Sequence, residues 1–198
     1  HQDPSNFYLR GGLDSIKAFS KIQAEYPDAE LTIRATLPSD LPKSTRAMIS
    51  ECKVRVVDDF LPNDEWEELK CGTDFFLIPS ARIHIVSMLE AMAYGMILVG
   101  SDGWGVSEYA TDGYDSVLVT GRKKVSHVDP DSGVLSEDYK PMFSEDADIV
   151  EQIVERVISL IRDPNKQNAM RVAARKHIVE NHSVARFNKR FGEVLDLV

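Results

Sequence analysis

Cysteine, positive charge and long apolar runs are all scarce in this sequence. Two cysteines among 198 residues, Cys52 and Cys71, cannot form a disulfide framework, so we expect a reducing compartment, the cytoplasm. With 23 basic against 32 acidic side chains the formal net charge is −9, which argues against nucleic acid as a partner but leaves room for a local basic pocket. No uncharged stretch approaches the roughly 20 residues of a membrane span. The composition, 43% hydrophobic and 28% charged, is that of one globular domain with a buried core.

Short β-rich runs alternate with amphipathic helices over the first 120 residues. Strands are predicted at 31–35, 54–57, 75–78, 97–100 and 117–119, and helices at 13–26, 43–52, 64–70, 87–94 and 107–110. The run at 75–78 is apolar throughout, as expected of a strand buried on both faces of a parallel sheet. This order predicts a Rossmann-like α/β domain, a doubly wound parallel sheet with helices on both faces. Right-handed crossovers place its ligand crevice at the carboxyl ends of the strands.

The periodic pattern lapses at 120–147, a polar stretch that contains two glycines and two prolines. It is longer than an ordinary connection, so we expect a functional excursion or a mobile loop. Residues 148–198 return to helical periodicity and are predicted to form C-terminal helices. Residues 1–198 are therefore expected to form a single domain.

The stretch from Pro79 to Gly95 is the most informative for chemistry, because it runs from a strand end through a loop into a helix. The free backbone amides of Ser87, Met88 and Leu89 would point into the crevice and favour a phosphate group. Glu90 could then accept two hydrogen bonds from a ribose diol. The alternative is a surface glutamate favoured by the helix dipole.

Three segments carry a resemblance to a known family. They are LEAMAYGMILVGSDGWGVSEYATDGYDSVLV at 89–119, NFYLRGGLDSIKAFSKIQAEYPDAELTI at 6–33 and DPNKQNAMRVAARKHIVENHS at 163–183. Together they resemble the donor-binding C-terminal half of family 4, or group 1, glycosyltransferases, which have the GT-B fold. The resemblance runs over nearly the whole chain. It implies a UDP- or GDP-linked sugar donor, retention of anomeric configuration, and no required metal or other cofactor.

The resemblance also assigns roles to particular residues. Glu90 matches the glutamate that holds the nucleotide ribose. Arg10 stands where the family has a phosphate-binding lysine before two glycines, and its guanidinium can hold a diphosphate bidentately; a solvated arginine is the alternative. Asp59 and Phe60 lie where the family's loop lines the nucleobase, and an ordinary loop is the alternative. Glu108, which follows the family's glycine turn, is expected to brace that turn.

One departure from the family pattern concerns the transferred sugar. The family holds it with a first motif glutamate, but no acidic residue occurs from Phe75 to Leu89, and Arg82 or Ile83 occupies the corresponding position. Three explanations stay open: an anionic donor sugar met by Arg82, a polar contact from His84, or loss of transferase activity. An exposed loop histidine without a role is the alternative for His84.

A second departure concerns the N-terminus. The family's domain opens with a central strand just before the two glycines, and residues 1–9 contain no candidate for it. Because the first residue is His rather than Met, the chain is expected to be a fragment that lacks this strand and its own N-terminal acceptor domain. That domain commonly supplies the catalytic base in this family, so the catalytic residue is unknown and the chain alone is expected to be inactive.

The remaining candidate sites are weak. Cys52 and Cys71 lack further ligands, so no metal site is expected. His177 and His182 are five residues apart and are interpreted as exposed residues at a helix end. The basic run at 122–124 is interpreted as solvated, with acceptor or membrane contact as the alternative.

The sequence therefore predicts the donor-binding domain of a retaining, hexosyltransferase-like enzyme of polysaccharide biosynthesis. The full-length protein would move a sugar to a glycan or lipid-linked acceptor in the cytoplasm, with or without peripheral membrane contact. The leading alternative is a catalytically inactive, glycosyltransferase-like binding or scaffold module. An unrelated α/β nucleotide-binding or sensor domain is the third hypothesis.

Overall fold

A computed structural model of the chain describes residues 4–103, 105–121, 126–129 and 131–195. Its strands are β1 (Leu31–Arg34), β2 (Val54–Val57), β3 (Phe75–Ile78), β4 (Ile97–Ser101), β5 (Ser116–Val119), β6 (Ser126–Val128) and β7 (Leu135–Asp138). Its helices are α1 (Ser5–Leu9), α2 (Gly12–Glu25), α3 (Lys43–Glu51), α4 (Asn63–Cys71), α5 (Ile85–Ala93), α6 (Ala147–Ile161), α7 (Pro164–Asn181) and α8 (Val184–Leu195). The predicted alternation of strands and helices is confirmed up to β4. Between β4 and β5 the helix predicted at 107–110 is a short 3₁₀ turn, Val106–Glu108. Sequence analysis did not predict α1.

The first five strands are all parallel. β1 pairs with β2, and β3 pairs with β4, which pairs with β5 on its other edge. Among the described residues these strands form two sheets, of two and three strands, rather than the one continuous sheet that was predicted. The α/β class with helices flanking parallel strands is confirmed.

Two apolar layers cover the faces of the β3–β4–β5 sheet. On one face Ile97 and Val99 pack with α2, α6 and α7. On the other face Leu98 and Leu118 pack with α5 and α7. Alternate residues of β4 therefore face opposite layers, as in any strand, and all five residues of β4 are buried. A third cluster joins α1, α2 and α3 to β1.

The segment 120–147 was predicted as a polar excursion, and it contains regular structure. β6 and β7 pair as an antiparallel hairpin, and a 3₁₀ turn follows at Lys140–Phe143. Residues 122–125 and 130, which include the basic run, lie outside the described residues. Because the hairpin strands are only three and four residues long, periodicity gave no usable signal for them.

The C-terminal helices follow the prediction. α6 buries Ile149, Ile153 and Val157, and its N-terminus is capped by the side chain of Asp146. Asp163 caps α7 in the same way. In the described part of the chain, no helix combines the length and apolarity that crossing a membrane would need.

Candidate functional site

The candidate site lies at the end of β3, where hydrogen bonds hold the turn between α1 and α2. The backbone carbonyl of Leu9 accepts hydrogen bonds from the Ser80 hydroxyl at 2.9 Å and from the Ala81 amide at 3.0 Å. These two bonds hold the adjacent Arg10 beside the carboxyl end of β3. Leu9 and Ser80, which are 71 positions apart in sequence, thus share one edge of the sheet, at the location predicted for a ligand crevice.

Gly11 makes this close approach possible. Its φ of +75° lies in the left-handed region, and a Cβ built there would be 2.4 Å from the Pro79 carbonyl oxygen. Only glycine satisfies both conditions without strain. The Gly-Gly pair therefore has a structural role, which is to bring the Arg10 backbone against the end of β3.

Replacing Gly11 with alanine is expected to lower the free energy of unfolding by about 2 kcal/mol, from backbone strain and the clash with Pro79. Gly192 is the matched control, since a Cβ there meets nothing within 4 Å, and Gly192→Ala within α8 should be neutral or slightly stabilising. Urea unfolding of the three proteins measures both values. Equal stability of Gly11→Ala and the parent would contradict this role.

Arg10 and Arg82 bring positive charge to the same edge, next to His84. Burial, the Arg10 guanidinium and the Arg82 guanidinium lower the pKa of His84 to about 4, so the imidazole is neutral at pH 7. Its Nε2 lies 3.0 Å from the Ser80 hydroxyl oxygen. Arg82 stacks on the Tyr139 ring at 4.9 Å and donates from Nε to the Tyr139 hydroxyl. The arrangement is suited to an anion.

Arg10 has unused hydrogen-bonding capacity. Its Nε is buried and has no hydrogen-bond partner within the described ranges. Burial and the nearby Arg34 guanidinium lower the pKa of Arg10. A buried donor without an acceptor is costly, so an anion that accepts from Arg10 would be bound with a favourable contribution.

The depressed pKa of His84 predicts a pH dependence of stability. Between about pH 6.5 and 4 the unfolded chain holds a proton on this imidazole that the folded chain does not, so stability falls as the pH is lowered through this window. His84→Asn keeps a good capping residue before α5 and removes the titration. Urea unfolding at pH 7 and pH 5 should therefore show a smaller drop for His84→Asn than for the parent. An equal drop would contradict this assignment.

The start of α5 differs from the prediction. The helix begins at Ile85, with His84 as its N-cap, instead of at Ser87. The Met88 amide already donates to the His84 carbonyl at 3.0 Å, and Leu89 lies one residue further into the helix. The predicted free amides at Met88 and Leu89 are therefore wrong, because the first-turn amides belong to Ile85, Val86 and Ser87. The Met88 side chain is buried in the core and the Leu89 side chain is packed against it.

Glu90 is held by a buried lysine. Lys70 of α4 is 6% exposed, and its Nζ lies 3.2 Å from Glu90 Oε1, 2.5 Å from Glu67 Oε1 and 3.0 Å from the Tyr94 hydroxyl. Burial opposes the charged form, but these three hydrogen bonds raise the pKa of Lys70 above its ordinary value. The Glu90 side chain is 44% exposed, and its Oε2 has no hydrogen-bond partner within the described residues. The hydrogen bond from Lys70 to Oε1 thus orients Glu90, and Oε2 is available to accept from a ligand.

Arg10, Ser87 and Glu90 line one cleft of about 870 Å³ between β1 and β3, which we call the β1–β3 cleft. Three of the residues predicted to bind the donor therefore line the same cleft. Arg82 and His84 line an adjacent void of about 10 Å³ at the ends of β3 and β4. The residues predicted to contact the sugar thus lie near those predicted to bind the donor, at the carboxyl ends of the strands.

An aromatic group missed by sequence analysis lies at the rim of the β1–β3 cleft. The Arg34 guanidinium, at the end of β1, lies 4.5 Å from the Trp66 ring centroid and 5.7 Å from the Phe60 centroid. Arg34 and Trp66 line the cleft, whereas the predicted Asp59 and Phe60 do not. Phe60 is 87% exposed, and the Asp59 carboxylate accepts from the Phe60 amide at 2.7 Å. Such planar groups can stack on a base.

Two other predicted assignments can be placed. The Glu108 carboxylate lies against Gly105, with Oε1 3.4 Å from the position of a Cβ there, which fits a residue that braces this turn. His177 is partly buried instead of exposed, and its Nδ1 lies 2.6 Å from Oδ2 of the fully buried Asp115. The His182 ring stacks on His177 with centroids 5.5 Å apart. The exposed interpretation of His177 is wrong.

The described residues contain no group of three potential metal ligands among His, Cys, Asp and Glu. Cys52 and Cys71 are both free thiols. The cations, amides and carboxylate described above can bind an anion and a polyol.

Comparisons with known proteins indicate the family and the fold of the chain. Residues 8–129, more than half of the chain, match the family described as "Glycosyl transferases group 1". A search of curated protein sequences gave no significant match. Among solved structures, the C-terminal domain of the group 1 glycosyl transferase LpcC from Francisella tularensis superposes with a TM-score of 0.67 at 15% identity, over 89% of this chain and 81% of that one.

Two longer structures are also similar. Anabaena Alr3699/HepE, solved with UDP and glucose, has a TM-score of 0.65 at 16% identity, and 96% of this chain covers 46% of that one. WaaG, a glycosyltransferase of lipopolysaccharide biosynthesis, has a TM-score of 0.62 at 15% identity, with 95% and 44% coverage. The chain thus spans less than half the length of each, and at these identities the likeness establishes the fold alone.

Proposed function

Because the chain belongs to the group 1 glycosyltransferase family, we propose that it binds the nucleotide-sugar donor of a retaining glycosyltransferase. The donor is a UDP- or GDP-linked sugar, and the full-length protein transfers that sugar to a glycan or lipid-linked acceptor. The observation that carries the proposal is that Arg10, Ser87 and Glu90 all line the β1–β3 cleft.

The cleft offers a distinct partner to each part of a nucleoside diphosphate. The diphosphate would accept from Arg10 and from the first-turn amides of α5, where the helix dipole also favours an anion. The ribose diol would donate to Glu90, whose position the buried Lys70 fixes. The base would lie toward Arg34 and Trp66, with Asp59 and Phe60 nearby on the loop after β2.

Catalysis in this proposal is electrostatic. Negative charge develops on the diphosphate as the sugar leaves, and Arg10 with the α5 amides is already in place to stabilise it. This leaves the neutralisation to the chain's own groups, so no metal is required. Glu90 positions the nucleotide and takes no part in bond breaking. Arg82 and His84 lie next to this group and are proposed to contact the transferred sugar.

The test is a calorimetric titration of UDP and GDP into this chain and into the full-length protein. We expect one of the two to bind, and Glu90→Gln to weaken that binding about tenfold, since the amide is a weaker acceptor for the ribose hydroxyls. Glu65→Gln, an exposed residue of α4, is the matched control and should change nothing. A folded full-length protein that binds neither nucleotide would contradict the proposal.

A binding or scaffold module without activity is the second candidate, and the missing acidic residue from Phe75 to Leu89 favours it. An inactive module predicts no turnover by the full-length protein, whether or not it binds a nucleotide. Arg82→Glu separates the two functions, because a charge reversal beside the sugar changes the turnover of an enzyme and leaves a scaffold unaffected. Both candidate functions include a cytoplasmic location, which is consistent with the free thiols of Cys52 and Cys71.

A further inference from the structure

The small void at the carboxyl ends of β3 and β4 lies directly beside the β1–β3 cleft, and we call it the β3–β4 void. Its volume is about 10 Å³, which is enough for one water-sized group. Ile78 lines both the void and the cleft, so the two spaces are adjacent. A sugar attached to a diphosphate at Arg10 would therefore reach the void with one of its substituents.

The β3–β4 void contains a hydroxyl group without a partner. Ser101, the last residue of β4, is 5% exposed and lines the void. Its Oγ is buried and has no hydrogen-bond partner in the part of the chain that the structure describes. A buried hydroxyl without a partner costs free energy. A ligand oxygen that entered the void would supply the missing partner.

Two other polar side chains at the void are already bonded to each other. The Ser80 hydroxyl donates to the Leu9 carbonyl at 2.9 Å. Because a hydroxyl has a single hydrogen, the Ser80 oxygen can only accept from His84 Nε2, which lies 3.0 Å away. The Ser80 oxygen also accepts from the Arg82 amide at 3.1 Å. A ligand in the void therefore meets the Ser101 hydroxyl and the Arg82 guanidinium as its side-chain donors.

The charge at the void is positive. Its lining includes Arg82 and, among the described residues, no Asp or Glu. Burial and then the Arg10 and Arg82 guanidiniums lower the pKa of His84, so both cations act at this point. The Arg82 guanidinium is held by the Tyr139 ring, whose centroid lies 4.9 Å away. A fixed guanidinium beside an unsatisfied hydroxyl suits a carboxylate, which is charged and only accepts hydrogen bonds.

We infer that the sugar of the donor carries a carboxylate, as a hexuronic acid does. One carboxylate oxygen accepts from Ser101 in the β3–β4 void, and the other pairs with the Arg82 guanidinium. A neutral hexose would bring a hydroxyl to the same place, which leaves the charge of Arg82 uncompensated. The inference rests on the proposed function and deepens it, because it names the class of sugar that the donor site takes.

Calorimetric titration of the full-length protein tests the inference with pairs of donors that differ only in the carboxylate. If the protein prefers UDP, the pairs are UDP-glucose with UDP-glucuronic acid and UDP-galactose with UDP-galacturonic acid. If it prefers GDP, the pair is GDP-mannose with GDP-mannuronic acid. We expect the hexuronic acid of at least one pair to bind at least tenfold more tightly than its neutral partner, because its contact with Arg82 is charge-assisted.

Three variants locate the carboxylate. Arg82→Gln should reduce the tenfold preference to less than threefold. Ser101→Ala should reduce it about threefold without lowering the free energy of unfolding, because the Ser101 hydroxyl has no partner to lose among the described residues. Ser116→Ala is the matched control. The Ser116 Oγ is likewise buried without a partner within the described ranges, but it lies at the amino end of β5, so the preference should be unchanged.

Several results would overturn the inference. Equal affinities within every pair, or tighter binding of the neutral hexose, would overturn it and leave the proposed donor site standing. A preference for the hexuronic acid that survives Arg82→Gln or Ser101→Ala would also overturn it, since the carboxylate would then lie elsewhere. Absence of binding by UDP and GDP alike would overturn the proposed function together with the inference, so the two failures are distinguishable.

Discussion

Replacing Arg10 with methionine is expected to weaken the binding of the preferred nucleoside diphosphate by about 30- to 100-fold. The substitution keeps most of the aliphatic stem and removes the guanidinium, and charge-assisted hydrogen bonds are worth about 1.5–3 kcal/mol each. The effect should be large because the Arg10 Nε is buried without a partner inside the described ranges, so the ligand replaces no existing bond there. Calorimetric titration of the full-length protein measures the loss.

Two further variants make this expectation specific to Arg10. Arg10→Lys retains the charge but loses the bidentate geometry, so it should fall between the parent and Arg10→Met. Arg55→Met removes an exposed arginine of β2 and should leave affinity unchanged. If Arg10→Met bound the nucleotide as tightly as Arg55→Met, the diphosphate would have to lie elsewhere.

Replacing Asp115 with alanine is expected to lower the free energy of unfolding by about 2–4 kcal/mol, because a fully buried acceptor is removed from two hydrogen-bond partners. Asp115 is fully buried and ties three parts of the fold together. Its Oδ1 accepts from the Thr111 amide at 2.6 Å, and its Oδ2 lies 2.6 Å from Nδ1 of His177 on α7. Alanine leaves both partners without an acceptor, Thr111 in the turn before β5 and His177 on α7.

Urea unfolding checks the size of this effect. Asp28→Ala is the control, because Asp28 is fully exposed and its ion pair with Lys53 spans 3.6 Å, so it should cost less than about 0.5 kcal/mol. Should Asp115→Ala fail to fold, Asp115→Asn keeps the acceptor for Thr111 and should still be measurably less stable than the parent. A loss below about 1 kcal/mol for Asp115→Ala would show that the pair does not anchor α7.

Local signals in the sequence predicted most of the strands and helices. The run Phe75–Ile78 is apolar without interruption and the structure places β3 at those four residues. α2 shows an apolar stripe at helical spacing, and its bounds differ from the prediction by one residue. Such patterns depend on neighbours a few residues away, so they survive in a single sequence.

The sequence analysis did not predict the start of α5 or the contacts between residues far apart in the chain. α5 begins two residues early, because His84 caps it and the β-branched pair Ile85 and Val86 had been interpreted as loop. The His177–Asp115 pair joins residues 62 positions apart, and the spacing of the two histidines gave no indication of it. The stacking of Arg34 on Trp66 likewise requires the fold. None of these leaves a periodic pattern in the sequence.

The candidate site was predictable from the sequence only in part. Resemblance supplied Arg10 and Glu90, and the cleft that they share with Ser87 is consistent with it. The resemblance did not indicate a role for Lys70. In the sequence Lys70 is an ordinary charged position of a helix, and its contact with Glu90, 20 residues away, is visible only in the fold. Nor could the resemblance show that the Met88 amide is already bonded, which depends on where α5 begins.

A crystal structure of the full-length protein with bound UDP or GDP tests the central claim most directly. We predict the diphosphate oxygens within hydrogen-bond distance of the Arg10 guanidinium and the first amides of α5, and a ribose hydroxyl on the free oxygen of Glu90. A nucleotide bound elsewhere, with Arg10 and Glu90 both out of reach of it, would contradict the account.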